Sequence, residues 1–289
     1  MGPHAAELPK KASSRHEPIA ALPTKAPKFP PDAYLVSLSA TSPTARELEW
    51  VVTTHTTAGP ALAVHLLTAA RMSVAADELP AISALRCERA GRLGPLPLIR
   101  AEIEHCARVV WMLEPTIGPD RRIARAMLDG LFSAEARCAA APHSDGTSVP
   151  GRTHARVALR RLRSDAATIF PASTLGGGSP AWRIGGERFL WPAEVAEHFG
   201  AQLGEAREWI GTYDSLSALP HPDGLTVDVL DRLDEDRAGA DELLQGFVSL
   251  VGTAYVRAAR ETSTYFKAGL KRLDRWGARL DALPGSGAE

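Results

Sequence analysis

The sequence predicts an all-α protein, a multi-helix bundle with a small β-hairpin insertion. Apolar residues recur at steps of three and four along most of the chain, and prolines stand at the starts of these stretches or between them. The clearest stretch is residues 96–114, with Pro95 and Pro97 at its start and Pro115 after its end. Its apolar residues fall on one stripe of a helix, and we expect the rest of the chain to pack around it. They are Ile99, Ile103, Cys106, Val110 and Leu113.

The other helices are placed by capping residues and by the same periodicity. Ser42 is a good N-cap and Pro43 fits the first helical position, whereas Gly59 with Pro60 separates the first helix from the second. Later helices also open at prolines. The expected helical ranges are residues 43–57, 61–76, 79–90, 96–114, 120–140, 152–169, 192–209, 226–237 and 241–283.

One segment between these helices predicts β structure. Residues 182–184 and 188–190 lie on either side of Gly185-Gly186, a dipeptide typical of a two-residue hairpin turn. Because this hairpin interrupts an otherwise irregular stretch, we expect it to cover one end of the bundle.

Composition and charge restrict the class of protein. The 289 residues are 45% hydrophobic and 23% charged, which is ordinary for a globular protein with a substantial core. The formal net charge of −1 argues against a whole-protein field that attracts nucleic acid or an anionic membrane. We expect a disordered N-terminal arm of residues 1–32, a single helical-bundle domain of residues 33–283 and a flexible tail of residues 284–289.

Cysteine usage and hydropathy predict a cytoplasmic protein. Cys87, Cys106 and Cys138 show no CxxC spacing and lie in helical patterns, so we interpret them as reduced core residues. The chain has no apolar run long enough to cross a membrane, and its first residues lack the apolar segment of a secretory signal. No membrane association is therefore expected.

A charged row lies beside the apolar stripe of the central helix. Arg100, Glu104, Arg108 and Trp111 follow one another at helical spacing, so that a carboxylate stands between two guanidinium groups. On an exposed face each ion pair would stabilise the helix by only about 0.2–0.5 kcal/mol. If the row is partly buried, it can hold a neighbouring segment in place or bind an anionic ligand with the planar arginine side chains.

The segment of residues 213–221 is the second candidate for function. It ends in His221, and a histidine beside a groove can act as an acid or a base near neutral pH. Ser217 precedes it, but the chain has no GxSxG sequence of the kind that serine hydrolases use. Alternatively, Tyr213 and His221 form hydrogen bonds inside the bundle and close the turn before Pro222.

Metal chemistry is not predicted. Glu102 and His105 form an ExxH pair, the spacing with which di-iron helical bundles bind a metal, but that chemistry needs a second pair and two further glutamates. The sequence contains no second ExxH. No metal ion and no cofactor is therefore expected.

The central helix and the segment of residues 213–221 resemble the HEPN helical superfamily. The run Leu98–Glu104 with Trp111–Leu113, and the later Tyr-x-x-Leu-Ser-x-x-x-His, are similar to segments of uncharacterised actinobacterial helical proteins that look like distant HEPN relatives. The resemblance covers residues 96–140 and 192–250. It implies an all-α bundle that is often dimeric and that in some members has metal-independent ribonuclease activity.

The ribonuclease motif of that superfamily is only partly matched. Active members use an R-x(4–6)-H sequence, in which the arginine holds the phosphate and the histidine assists attack by the 2′-hydroxyl. In this chain the residues that stand before His221 in place of that arginine, residues 215–217, are serine, leucine and serine. Arg100 with His105 matches the spacing, but about 140° separates the two side chains around a helix, and we do not treat the pair as an active site.

Two hypotheses follow for function. In the first, the protein is a cytosolic HEPN-like bundle, a homodimer, that binds a protein partner or a small anionic ligand without catalysis. In the second, it is a metal-independent ribonuclease or phosphodiesterase that uses His221 with a distant arginine, although balanced charge gives RNA the weaker support. Both place the site in a groove between the central helix and the later segment. Its expected lining residues are Arg100, Glu104, Arg108, Trp111, Tyr213, Ser217 and His221.

Overall fold

The computed structural model describes residues 42–54, 59–87, 94–140, 149–202, 213–217 and 237–267. In chain order the helices are α1 (Pro43–Thr54), α2 (Gly59–Cys87), α3 (Leu96–Leu113), α4 (Pro119–Ala140), α5 (Val149–Ile169), α6 (Pro192–Gln202) and α7 (Arg237–Phe266). A 3₁₀ turn, Ser179–Ala181, leads into strands β1 (Arg183–Ile184) and β2 (Glu187–Arg188). The predicted fold class, an all-α bundle with a small hairpin, is confirmed.

Helix α3 lies at the centre of the packing, as its apolar stripe predicts. It contacts α2, α4, α6 and α7, and every residue of the stripe is buried. Helix α4 packs against α1 and α2 and carries α5 on its other side. Because burial of one large aliphatic side chain stabilises a fold by roughly 1.5–3 kcal/mol, the α3 stripe is a main source of stability.

The helix starts follow the residues that predict them. The Oγ atom of Ser42 accepts a hydrogen bond of 3.1 Å from the backbone N–H of Ala45, as expected of an N-cap. Pro95 and Pro97 lie on either side of the first residue of α3, where a missing backbone donor costs nothing. Helix α4 starts at Pro119.

The predicted break between residues 76 and 79 is wrong. Helix α2 continues through Pro80 and ends at Cys87. Leu79 and Ile82, one on each side of this proline, are completely buried. Their packing offsets the loss of the hydrogen bond that Pro80 cannot donate, so a single long helix forms.

Two other boundaries differ from the sequence-based ranges. Helix α5 begins at Val149, within the stretch expected to be a loop. Helix α7 ends at Phe266, because Lys267 has a φ angle of 52° and leaves the helical region. The prediction of one continuous helix to residue 283 is therefore wrong at this point.

The hairpin forms at the predicted position. Strands β1 and β2 are antiparallel, with Ile184 opposite Glu187. Gly185 and Gly186 make the turn with φ angles of 55° and 79°, the left-handed conformation that a two-residue hairpin turn requires. Glu187 accepts a hydrogen bond of 2.7 Å from Nε of Arg125, which ties the hairpin to α4.

Some predicted features lie outside the described residues. They are the N-terminal arm of residues 1–32, the tail of residues 284–289, most of the helix expected over residues 226–237, and His221. Of the cysteines, Cys106 and Cys138 are free thiols. No helix in the described ranges combines the length and the apolar character that a membrane span needs.

Candidate functional site

The charged row of α3 meets the segment that begins at Tyr213. Residues 213–217 are helical, and the Tyr213 hydroxyl donates a hydrogen bond of 2.7 Å to Oε1 of Glu104. The Nε atom of Arg100 donates to the same oxygen at 2.9 Å, and its guanidinium carbon lies 5.8 Å from the centre of the Tyr213 ring. These contacts bring together two of the segments that the sequence singles out.

The outer part of the row is open to solvent. The Arg100 side chain is 33% exposed and the Glu104 side chain 26%. Tyr213 is buried, and burial together with its hydrogen bond to Glu104 raises the pKa of the phenol to about 12. Tyr213 therefore remains a hydrogen-bond donor at every physiological pH.

The inner part of the row is buried, and its chemistry differs from that of the outer part. Arg108 is only 4% exposed, its Nη2 atom donates to the backbone carbonyl of Leu190, and its Nε atom lies 3.7 Å from Oδ1 of Asp129. Its guanidinium carbon stands 4.8 Å from the ring centre of Phe189 and 5.5 Å from that of Trp111. Burial lowers the Arg108 pKa to about 10, so this side chain is still a cation at neutral pH.

Arg71 of α2 joins the same set of charges. Its Nη2 atom donates to both carboxylate oxygens of Asp129, at 2.7 and 2.8 Å, and Asp129 has no exposed side-chain surface. Its Nη1 atom lies 3.1 Å from Nδ1 of His105. Asp129 is thus shared by two arginines from different helices, a geometry that fixes α2, α3 and α4 relative to one another.

Sequence reasoning missed both Arg71 and Asp129. The sequence does contain a signal for both: Arg71 stands next to Met72 and Asp129 next to Leu128, so each is a single charge beside an apolar residue that is buried. A charge on a buried helix face needs a partner, which makes such residues candidates for a pair. The sequence does not say which charge pairs with which, since the partners stand on different helices.

His105 is neutral in this setting. Burial, and next the charge of Arg71, lower its pKa to about 4. Because Arg71 can only donate, Nδ1 of His105 accepts, and the ring proton resides on Nε2, which faces Oε1 of Glu78 at 4.0 Å. His105 therefore pairs with Arg71 of α2 and not with Arg100, its partner in the R-x(4–6)-H spacing.

The glutamate of the ExxH pair is engaged by a cysteine on its own helix. Glu102 is fully buried and accepts a hydrogen bond of 3.4 Å from the thiol of Cys106. Burial raises its pKa well above the ordinary range, the Cys106 contact opposes this, and the charge of Glu78 adds to it. In the ranges that the structure describes, no group of three or more histidine, cysteine, aspartate or glutamate residues could hold a metal ion.

The interacting charged residues form one set, which we call the α3 polar cluster. Ser217, a predicted site residue, lies one helical turn after Tyr213 with a buried Oγ that has no hydrogen-bond partner among the described residues. Trp111 is buried under Arg108 and lines the inner end, whereas His221 lies outside the described residues. The members of the cluster are Arg71, Arg100, Glu104, His105, Arg108, Asp129 and Tyr213.

The cluster can bind an anion by its charge and its donors. With His105 neutral, the cluster has three arginines against the carboxylates of Glu104 and Asp129, and Glu78 faces it only across His105 at 4.0 Å; arginine also offers several N–H groups in a plane. Its outer members are partly exposed, so a ligand can approach from solvent.

No model of a known family, no curated protein and no solved structure matches this chain.

Proposed function

We propose that this chain is a HEPN-like helical bundle, acting as a homodimer, that binds an anionic group of a small ligand or of a partner protein at the α3 polar cluster. In this proposal the protein is a binding module and not a catalyst. The bound group sits beside the inner arginine Arg108, whereas Arg100, two helical turns away, and Tyr213 form the outer wall of the site.

One observation carries this proposal: a buried guanidinium nitrogen without a partner. The Nη1 atom of Arg108 makes no hydrogen bond with any described residue, and the side chain is almost fully buried. An unsatisfied buried donor costs roughly 1–3 kcal/mol, and more when it is charged, so native proteins keep few of them. An anionic ligand that accepts from Nη1 would remove this cost.

The surroundings of Arg108 support an anion over a cation. Glu104 and Asp129 are already engaged by arginines at 2.7–2.9 Å, which leaves little negative charge for an incoming cation. Arg71 and Arg100 add positive charge on both sides of the row. A carboxylate or phosphate group is therefore the ligand chemistry that this cluster favours.

The test is a calorimetric titration of the purified protein with inorganic phosphate and with pyrophosphate. We expect binding by the wild type that weakens at least about tenfold in Arg108→Lys, because lysine keeps the charge but loses the planar fork. Arg100→Ala should weaken it less, since this side chain is partly exposed. Arg156→Ala, an exposed arginine on α5, is the matched control and should change nothing. Equal binding by wild type and Arg108→Lys, or no binding at millimolar phosphate, would reject the proposal.

The proposed homodimer has support from exposed apolar side chains. Val52 of α1 and Leu66 of α2 are 58% and 59% exposed, and an interface over these two helices would bury both. Analytical ultracentrifugation of the wild type and of Leu66→Glu tests the dimer. A wild type that is monomeric at all concentrations would remove the dimer from the proposal without affecting the anion site.

A metal-independent ribonuclease or phosphodiesterase is the second candidate. The observation in its favour is the contact of Arg71 with His105, an arginine and a histidine on a partly exposed surface. Two facts favour binding instead: Nδ1 of His105 already accepts from Arg71, and a pKa of about 4 makes the ring a weak base. Incubation with mixed RNA decides between them. Cleavage that disappears in His105→Ala or in His221→Ala would favour the enzyme.

A further inference from the structure

A second candidate site lies at the C-terminal end of α3 and shares no residue with the α3 polar cluster. A pocket of about 210 Å³ opens between the start of α1, the α3–α4 connection and the end of α7. Leu113, Pro115 and Ile117 form an apolar wall, whereas Arg46 and Arg122 supply positive charge. Since an apolar cavity of about 150 Å³ can hold a benzene ring, this pocket has room for a ring with one polar substituent.

The guanidinium group of Arg122 is paired with the buried carboxylate of Glu47. Its Nε atom donates to Oε1 of Glu47, and the Tyr265 hydroxyl donates to Oε2 of the same carboxylate. Its Nη1 atom donates to the carbonyl of Ile117 at 2.7 Å. These bonds use two of the five N–H groups of Arg122, and the side chain also lines the pocket.

Glu47 is contacted by groups from two other helices, and a third helix packs against one of these groups. Arg122 faces it from α4 and Tyr265 from α7, and the ring of His65 on α2 lies edge-on to Tyr265 at 5.8 Å. On its own helix, Arg46 stands at the pocket and is exposed. The only carboxylate among the described residues that line the pocket, Glu261, is already paired with Arg257 at 2.8 Å.

We propose that this pocket binds a small organic carboxylate, whose charged end pairs with Arg122 and Arg46 and whose apolar part lies on the Leu113–Ile117 wall, and that Glu47 takes up a proton when the ligand binds. The reason for the coupling is that Arg122, unlike Arg46, would contact both carboxylates, the ligand's and that of Glu47. Two carboxylates in contact with one buried cation repel each other, and the one without access to solvent becomes protonated.

Because of its position, protonation of Glu47 near neutral pH requires little free energy. Its side chain has no exposed surface, and burial raises its pKa to about 7 although Tyr265 and Arg122 lower it. A small additional negative charge is therefore enough to protonate it near neutral pH. With the proton on Oε2, Glu47 still accepts from Nε of Arg122 through Oε1, and its new O–H donates to the Tyr265 hydroxyl, so both contacts are kept.

The experiment is a calorimetric titration of the full chain with benzoate, and with benzyl alcohol as the uncharged control. Benzoate affinity should fall about tenfold between about pH 6 and about pH 8, since binding requires a proton on a group that titrates near 7. Titration at about pH 8 in two buffers of different ionisation enthalpy should give close to one proton taken up per benzoate. Benzyl alcohol should bind weakly and without any pH dependence.

Variants separate this pocket from the rest of the molecule. Glu47→Gln should bind benzoate with equal affinity at both pH values and without proton uptake, because glutamine stands in for the protonated acid. Thr264→Phe narrows the pocket and should weaken binding at least about tenfold, since Thr264 lines it with an exposed side chain. Arg108→Lys should bind benzoate like the wild type. A failure of the proposal for the α3 polar cluster can therefore be distinguished from a failure of the proposal for this pocket. Failure of the wild type to bind benzoate, equal binding of benzyl alcohol, or a pH dependence that survives in Glu47→Gln would overturn the inference.

Discussion

The hydroxyl of Tyr213 donates a hydrogen bond of 2.7 Å to Glu104, although 109 residues separate the two in the chain. Both partners are held on helical segments, and Arg100 donates to the same carboxylate oxygen. The bond therefore fixes the distance between the middle of the chain and a segment much nearer its end. It is the contact through which the outer wall of the α3 polar cluster is built.

Replacement of Tyr213 by phenylalanine should destabilise the protein by about 1–2 kcal/mol. The ring and its packing are kept, but Glu104 loses a donor in a partly buried position. Urea unfolding followed by circular dichroism measures the change. Asp214→Ala, which alters an exposed neighbour, should stay within about 0.5 kcal/mol of the wild type. A Tyr213→Phe variant as stable as the wild type would mean that the bond contributes nothing.

Replacement of Asp129 by asparagine should cost about 3–5 kcal/mol. Asp129 is the carboxylate that Arg71 and Arg108 share, and its loss leaves two cations beside each other, one of them almost fully buried. Thermal unfolding should show a large fall in Tm. Asp165→Asn on the exposed face of α5 is the matched control and should leave Tm unchanged. A similar small effect of both substitutions would contradict the shared ion pair.

The sequence predicts the part of the site that lies on one helix and misses the part that joins helices. Arg100, Glu104 and Arg108 are visible because helical spacing places them in one row. The pairing of Arg71 with Asp129 is not visible, because it depends on how α2 and α4 pack on α3. The interior end of the row could not be foreseen either, since burial of Arg108 comes from Phe189 and Leu190 near the hairpin.

The fold follows a similar division. Periodicity and capping residues locate α1, α3 and α4 because both signals are local. Pro80 is a local signal that tertiary packing overrides, since the buried residues around it keep α2 in one piece. The hairpin is predictable because a Gly-Gly turn requires positive φ angles that few other residues adopt.

Replacement of Gly185 by alanine should destabilise the protein by about 1–3 kcal/mol. Its φ angle is 55°, and a Cβ atom there would lie 2.8 Å from the ring of Phe170 and 3.1 Å from Cβ of Ala124. The hairpin would have to move away from α4. Gly176→Ala is the control, because no atom lies within 4 Å of its added Cβ. Chemical denaturation should separate the two variants, and equal stability would mean that the turn tolerates a side chain.

The stability of the protein should fall as the pH rises toward 7, in a manner that Glu47→Gln abolishes. The folded-state pKa of Glu47 is about 7 and its ordinary value is 4.5, so between these pH values the folded state holds a proton that the unfolded state has released. The contribution of this proton to the free energy of unfolding is fully present below pH 4.5 and is lost as the pH rises through 7. With 1.36 kcal/mol for each unit of pKa, the loss amounts to roughly 3 kcal/mol. Urea unfolding of wild type and Glu47→Gln across this range measures it. Glutamine cannot release a proton, so the two stability curves should diverge with rising pH, and parallel curves would show that Glu47 does not hold its proton in the folded state.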